Sequence, residues 1–296
     1  MTALNGIIPP LPTPFTQDGD FAKALQTELI KTLEPEVDGF LILGSNGEAA
    51  YLKEGERTHV LENARASIPE MKPMIAGTGG EATSIVIERN QVAKDIGADY
   101  VLVVPPFYFK GSMTDAVLER HYLTIADKSP LPVLLYNIPA ATTLSLSPSL
   151  VANLAKHSNI VGIKDSSGTI GALTEIMRQV PEDFVVFTGN APTLLPALAL
   201  GAKGGILAVA NVVPEIYKQL KLSFDKGDID TARRLQTETN PLALAVTSQY
   251  GVPGLKAVLK LQGRDAGYPR APLLEVSDEV KEVLEKLFGR SSVNAI

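Results

Sequence analysis

The chain has no cysteine among its 296 residues. That absence excludes disulfides, thiolate metal sites and cysteine nucleophiles together. Histidine is almost as scarce: the three, His59, His121 and His157, fall in helix-like segments away from strand ends, and no His-x-His or His-Glu-x-x-His spacing occurs. No metal centre is therefore expected. There is no basic block or arginine-rich face, and the net charge is -6 with a pI near 5.2, so nucleic acid is not an expected partner. No apolar run approaches the length of a membrane span, and residues 1–6 show no basic region followed by an apolar core. A cytoplasmic enzyme without membrane attachment is the expectation. Gly77-Thr78-Gly79-Gly80 follows a strand-like run but lacks the third glycine of a dinucleotide fingerprint.

What the chain does contain is regular punctuation. Eight strand-like runs recur at fairly even intervals, at residues 7–11, 40–43, 73–76, 100–104, 133–136, 160–164, 184–187 and 205–207. Helical caps and apolar spacing lie between most of them, the pattern of right-handed βα units around a parallel sheet. Eight units in about 210 residues match a closed (β/α)8 barrel, whose usual size is about 250 residues. Ser112 with Asp115 predicts a capping box ahead of a helix, and Ser147-Pro148 predicts a hydroxyl cap before a proline at the first helical position. Past the eighth run, residues 228–246, residues 252–261 and a last helix with Val280, Val283, Leu284, Leu287 and Phe288 on one face predict helices packed on the barrel. The expected fold is α/β: a (β/α)8 TIM barrel over residues 1–225 and a C-terminal helical appendage over 226–296. The proline-rich run from Pro9 to Pro14 reads as a rigid loop leaving the first strand.

The stretch Asn159-Ile160-Val161-Gly162-Ile163-Lys164-Asp165-Ser166-Ser167-Gly168 carries the chemistry. Its apolar run fits a strand buried on both faces, where a lysine belongs only at the end. In an α/β barrel the C-terminal strand ends face the active site, and a partly desolvated lysine there serves as a nucleophile. Lys164 is thus a candidate Schiff-base lysine; the bland alternative is a solvated surface charge. The other strand ends offer Gly44-Ser45-Asn46-Gly47-Glu48, Pro105-Pro106-Phe107-Tyr108, Tyr136-Asn137 and Gly189-Asn190. The Ser45-Asn46 turn, read as leading into a helix, can hold a carboxylate through backbone N–H groups and small polar side chains, although it is also a generic turn. Glu48 is either an acid or, in a first helical turn, a partner of the helix dipole. Tyr136 either passes protons beside Lys164 or is a core tyrosine with its hydroxyl at the rim.

With these motifs assembled, the chain resembles the dihydrodipicolinate synthase and N-acetylneuraminate lyase superfamily, the pyruvate-dependent class I aldolases. The resemblance runs from about Gly6 to Leu287. It rests on GSNGE at 44–48, PPFY at 105–108, YNIP at 136–139, NIVGIKDSSG at 159–168, GAKGGI at 201–206, VPGLK at 252–256 and RAPL at 270–273. It implies a (β/α)8 barrel with a helical appendage, usually a homotetramer. Lys164 would form an imine with pyruvate or another small 2-oxo acid, and Tyr136 would shuttle protons. Ser45 would link Tyr136 to Tyr108, the latter lent by a neighbouring subunit. Ser45 and Asn46 would hold the carboxylate, with Gly189 and Ile206 also among the substrate-binding residues. The covalent imine implies no cofactor, and the second partner is an aldehyde.

Departures from the family pattern bear on that aldehyde. Dihydrodipicolinate synthases carry an arginine after the YNxP motif that grips aspartate semialdehyde; here Ala141 stands in its place. Losing a bidentate carboxylate partner costs on the order of several kcal/mol of binding. Sialic acid lyases have acidic residues where this chain has Asn190-Ala191-Pro192. The nearest similarity is to 4-hydroxy-2-oxoglutarate aldolases, although Asn137, Ala141 and Thr143 depart from those as well. The expected reaction is cleavage or formation of a 4-hydroxy-2-oxo acid, such as 4-hydroxy-2-oxoglutarate to pyruvate and glyoxylate. The alternatives are dihydrodipicolinate synthesis, 2-keto-3-deoxy sugar-acid cleavage, or an oxo-acid-binding barrel without catalysis.

Overall fold

The computed structural model describes residues 4–293. Eight short strands, β1 (Gly6–Ile8), β2 (Phe40–Ile42), β3 (Met74–Gly77), β4 (Tyr100–Val103), β5 (Val133–Asn137), β6 (Ile160–Asp165), β7 (Val185–Thr188) and β8 (Gly204–Ile206), form one sheet. Every pairing in it is parallel. β8 returns to pair with β1, and the seam between β1 and β2 is closed by a bridge between Pro10 and Leu41. This is the (β/α)8 barrel the sequence predicts. The first strand is shorter than expected because proline has no N–H to extend a ladder. The seam therefore uses proline as acceptor only: Leu41 N donates to Pro9 O at 3.0 Å, and Leu11 N donates back to Leu41 O at 2.9 Å.

The outer ring is α1 (Lys23–Leu33), α2 (Glu54–Ser67), α3 (Thr83–Ile96), α4 (Asp115–Lys128), α5 (Pro139–Thr142), α6 (Pro148–Leu154), α7 (Ile170–Gln179), α8 (Leu194–Ala199) and α9 (Pro214–Asp225), with α5 a single turn in the loop after β5. Strand alternation sorts the apolar side chains into two cores. Ile8, Leu41, Ile75, Leu134, Phe187 and Ile206 fill the lumen, whereas Ile7, Ile42, Val101, Leu135, Ile163 and Val186 join the larger core beneath the helices. Ile206 is therefore fully buried lumen packing. On β6 the lumen-facing position before Lys164 is Gly162, where an added Cβ would stand 2.3 Å from Val185 O.

Beyond the barrel, α10 (Ile229–Leu244) packs on α9, a π-helical turn at Ala245–Gln249 leads into α11 (Gly251–Leu261), and α12 (Asp278–Val293) packs on α10 and α11. Leu284 of α12 is buried and Val280, Leu287 and Phe288 pack against the core, but Val283, expected on the same face, is exposed. The capping expectations divide. Ser147 caps α6 by accepting from Leu150 N, as predicted. Ser112 does not cap α4; it closes a 3-10 turn, and Thr114, extended immediately before Asp115, accepts from Val117 N instead. His59 and His121 lie in α2 and α4, while His157 falls in the turn after α6.

His121 is 7% exposed and its Nδ1 lies 2.8 Å from Thr83 Oγ1. Burial pushes its pKa down from 6.5 to about 4. Below pH 6.5 the unfolded chain then binds the proton more readily than the folded one, so stability falls as the pH drops from 6.5 to about 4. We expect thermal unfolding to record this as about 1.4 kcal/mol per pH unit from this one group. His121→Gln should flatten the dependence between those limits, and an unaltered slope would acquit His121.

Candidate active site

Parallel register brings the predicted lysine and tyrosine together. Tyr136 on β5 pairs with Lys164 on β6, and Lys164 pairs with Phe187 on β7, so all three occupy neighbouring positions at the C-terminal end of the barrel. Lys164 is 4% exposed and Tyr136 is 5% exposed. The Lys164 ammonium donates to Tyr136 Oη at 3.3 Å and rests against the ring face, 4.4 Å from its centre. Tyr136 Oη in turn lies 3.3 Å from Ser45 Oγ. The three form a continuous polar chain from the buried amine to a serine exposed at the mouth.

Gly189 has a steric reason to be glycine. A Cβ there would fall 1.9 Å from Ser166 Oγ and 2.7 Å from Lys164 Cε. Gly189 thus provides the room in which the lysine side chain lies. Asn137, which the sequence places at the site, is instead turned to the loops: its amide donates to Asp165 Oδ1 at 2.7 Å and accepts from Leu146 N at 3.1 Å. Asp165 also accepts from Ser167 N and Ser167 Oγ, so one buried carboxylate ties the loop after Lys164 to the end of β5. Sequence reasoning missed Asp165, although its position next to the lysine at a polar strand end is a readable signal.

The Ser45-Asn46 turn differs from its expectation. It is a single 3-10 turn, Ser45–Gly47, followed by a second at Ala49–Tyr51, and α2 begins only at Glu54. Leu43 and Glu48, on either side, adopt left-handed φ values of 60° and 53°. Such strain costs about 1–3 kcal/mol per residue and persists only where the surroundings enforce it. Glu48 is therefore in no helix and has no dipole to match. Nor is it a free acid: it is buried, with Oε1 2.6 Å from Lys256 Nζ of α11.

Ser45 and Tyr136 line a cleft of about 610 Å³ with Leu43, Val104, Ile138 and Ala141 among its apolar walls. Its two cations, Arg57 and Arg89, are already engaged. Arg57 donates to Ala49 O and Gly77 O, and Arg89 pairs with Glu54 and donates to Gly79 O. Burial lowers the Arg57 pKa to about 10, which leaves it charged at neutral pH. Tyr108 is 76% exposed, its ring edge-on to Phe109, and among the described residues its phenol meets neither Ser45 nor Tyr136.

The model of the dihydrodipicolinate synthetase family matches residues 3–290. The chain belongs to this family. It is accordingly an enzyme, a pyruvate-dependent lyase of the class I aldolase type. A 4-hydroxy-tetrahydrodipicolinate synthase of Methanopyrus kandleri is 34% identical over 96% of this chain and 95% of its own length. One from Methanospirillum hungatei is 35% identical over 97% and 99%. Among solved structures, a dihydrodipicolinate synthase of Bacillus anthracis superposes with a TM-score of 0.94 at 28% identity, covering 98% of this chain and 99% of that one. YagE, a prophage protein of E. coli K12 in the dihydrodipicolinic acid synthase family, crystallised with pyruvate, superposes at 0.92 with 32% identity over 98% and 99%.

Because Gly189 makes room for the lysine stem, Gly189→Ala should fold but displace the amine. Borohydride trapping of pyruvate on this variant, read by intact mass, should fall at least about tenfold, as for loss of a single well-placed contact. Trapping at the wild-type rate would show that Lys164 does not need that space.

Proposed function

We propose that Lys164 forms an imine with the keto carbon of pyruvate and that the derived enamine joins pyruvate to an aldehyde, or that the same steps in reverse release it. The polar chain Lys164–Tyr136–Ser45 at the barrel mouth carries this reading. The deprotonated amine adds to the keto carbon, water leaves, and the protonated imine acts as an electron sink. Tyr136, within 3.3 Å of both Lys164 Nζ and Ser45 Oγ, takes and returns protons, and Ser45 passes them toward the mouth. Loss of a proton from the pyruvyl methyl gives the enamine, whose carbon attacks the aldehyde; the alkoxide takes up a proton. Water then hydrolyses the imine, balancing the water lost when it formed, and frees Lys164. No cofactor enters this scheme.

Ser45 and Asn46 receive the pyruvate carboxylate in this reading, and Gly189 gives the substrate and lysine their space. Ile206 contributes only as packing below the substrate. Exposed Tyr108, beside exposed Phe109, suits donation to a neighbouring copy in a cytoplasmic homotetramer.

For the aldehyde, the names of the relatives favour 4-hydroxy-tetrahydrodipicolinate synthesis from pyruvate and aspartate semialdehyde. A second reading, cleavage of a 4-hydroxy-2-oxo acid, is favoured by Ala141, which removes the arginine expected to grip the semialdehyde. The cleft's own cations do not replace it, since both are engaged elsewhere.

Incubation with pyruvate and borohydride, followed by peptide mapping, should place a pyruvyl adduct on Lys164, and Lys164→Ala should abolish both adduct and turnover. An adduct elsewhere would end the scheme. Tyr136→Phe should keep the adduct while slowing turnover by about 100-fold or more, the usual scale of a general acid–base group. Assay with aspartate semialdehyde and pyruvate against 4-hydroxy-2-oxoglutarate then separates the two readings by which substrate has the higher kcat/KM.

A further inference from the structure

The turn that carries Ser45 and Asn46 is not held by its own strand. It is one 3-10 turn flanked by two left-handed residues, a shape that L-amino acids adopt only under external constraint. The constraint comes from both ends of the chain. Thr13, in the loop after β1, donates its hydroxyl to Gly47 O at 2.7 Å. From the far end, Lys256 of α11 reaches Glu48 at 2.6 Å, and the second Glu48 oxygen accepts Arg270 N at 2.7 Å. Lys256 also donates to Thr13 O at 2.8 Å and to Tyr268 O at 2.7 Å. Glu48 is 3% exposed and Lys256 2% exposed, and the Phe15 ring covers the ammonium at 4.7 Å. The Arg270 side chain extends the clamp to Glu56, Gly19 O and Tyr51 O.

Stability alone does not account for this arrangement. A buried ion pair is often no better for folding than apolar side chains of the same volume, whereas removing one partner is costly. What the pair supplies is a fixed place for the strained turn. We infer that Glu48 and Lys256 are positioning residues, through which the C-terminal helices hold the Ser45-Asn46 turn in the shape that lets Ser45 reach Tyr136 and the turn receive the 2-oxo acid carboxylate. The inference rests on the aldolase reading of the site. It gives the appendage a part in the chemistry: α11 sets the far end of the proton chain, 3.3 Å from the Tyr136 hydroxyl.

The test uses the full-length chain and pyruvate as probe. Glu48→Gln/Lys256→Met removes both charges together and so leaves neither one buried alone. This double variant should keep the wild-type circular dichroism spectrum, yet the pyruvate concentration giving half-maximal borohydride trapping at Lys164 should rise about tenfold, the scale of one lost hydrogen bond. In a Ser45→Ala/Asn46→Ala background the same pair of changes should add less than about twofold, because a contact that acts through these two side chains has nothing left to position. Wild-type half-saturation in the folded double variant, or a full multiplicative effect in the Ser45→Ala/Asn46→Ala background, would overturn the inference. Should the double variant not fold, the near-isosteric Glu48→Gln is read by the same two comparisons. Wild-type protein that traps no pyruvate at Lys164 would overturn the aldolase reading itself, and with it the inference; wild-type trapping with an unaffected variant would overturn the inference alone.

Discussion

The parallel register between β5 and β6 is the constraint on which the site depends. With a side-chain period of two, a slip of one residue would send Lys164 into the helix layer and bring Ile163 into the lumen. Register here sets Tyr136 opposite Lys164 and puts both on the inner face. An ammonium in an apolar lumen is costly unless it is hydrogen-bonded or lies against a polarisable surface. Tyr136 supplies both, through its hydroxyl and its ring face. Gly162 and Gly189 add the negative half of the design, since a methyl at either position would occupy space used by neighbouring strand or lysine.

Around that pair the loops are fixed by polar groups that never enter the reaction as drawn. Asp165 and Asn137 tie the loops after β5 and β6 to one another. Arg57 ties the segment after β2 to the end of β3 through two carbonyls. Each buried charge or amide has its geometry set by backbone partners, so the mouth is held without large apolar contacts that would fill the cleft. The cleft can then keep apolar walls and a polar floor, an arrangement suited to orienting a small substrate by a few contacts.

Much of this was legible in the sequence. Lys164, Tyr136 and Ser45 could be placed because strand ends carry local signals: an apolar run, then polar residues, then a glycine or proline turn. The barrel followed from the spacing of eight such runs. Less legible were features whose partners lie far away in the chain. Glu48 looked like a helix-dipole residue because nothing local announces Lys256, more than two hundred residues on. Asn137 reads as a site residue from its strand-end position because its partner Asp165 belongs to another strand. Thr114 displaced Ser112 as a cap because two hydroxyl residues in one short loop compete for the same role, and only the backbone path decides between them. Tyr108 could be assigned a role by resemblance, but its ring stands away from the polar chain of its own barrel.

The closing seam has a consequence for how the chain reaches this structure. Gly6 pairs with Gly204, and the β1–β2 join consists of the bridge from Pro10 to Leu41, three backbone hydrogen bonds and the Asp38 carboxylate accepting from Ile7 N. Sequential strands from β2 to β7 can zip up by pairing with near neighbours, each closing a modest loop. The last join must instead bring together segments separated by almost the whole barrel, and such long-range contacts are reached late because their loop-closure entropy is lost before they return any pairing energy. Lys256 and Thr13 meet across a still longer separation, so the clamp on the Ser45 turn closes a longer loop than the barrel itself does. The Ser45 turn thus owes its shape to contacts that join the two ends of the chain.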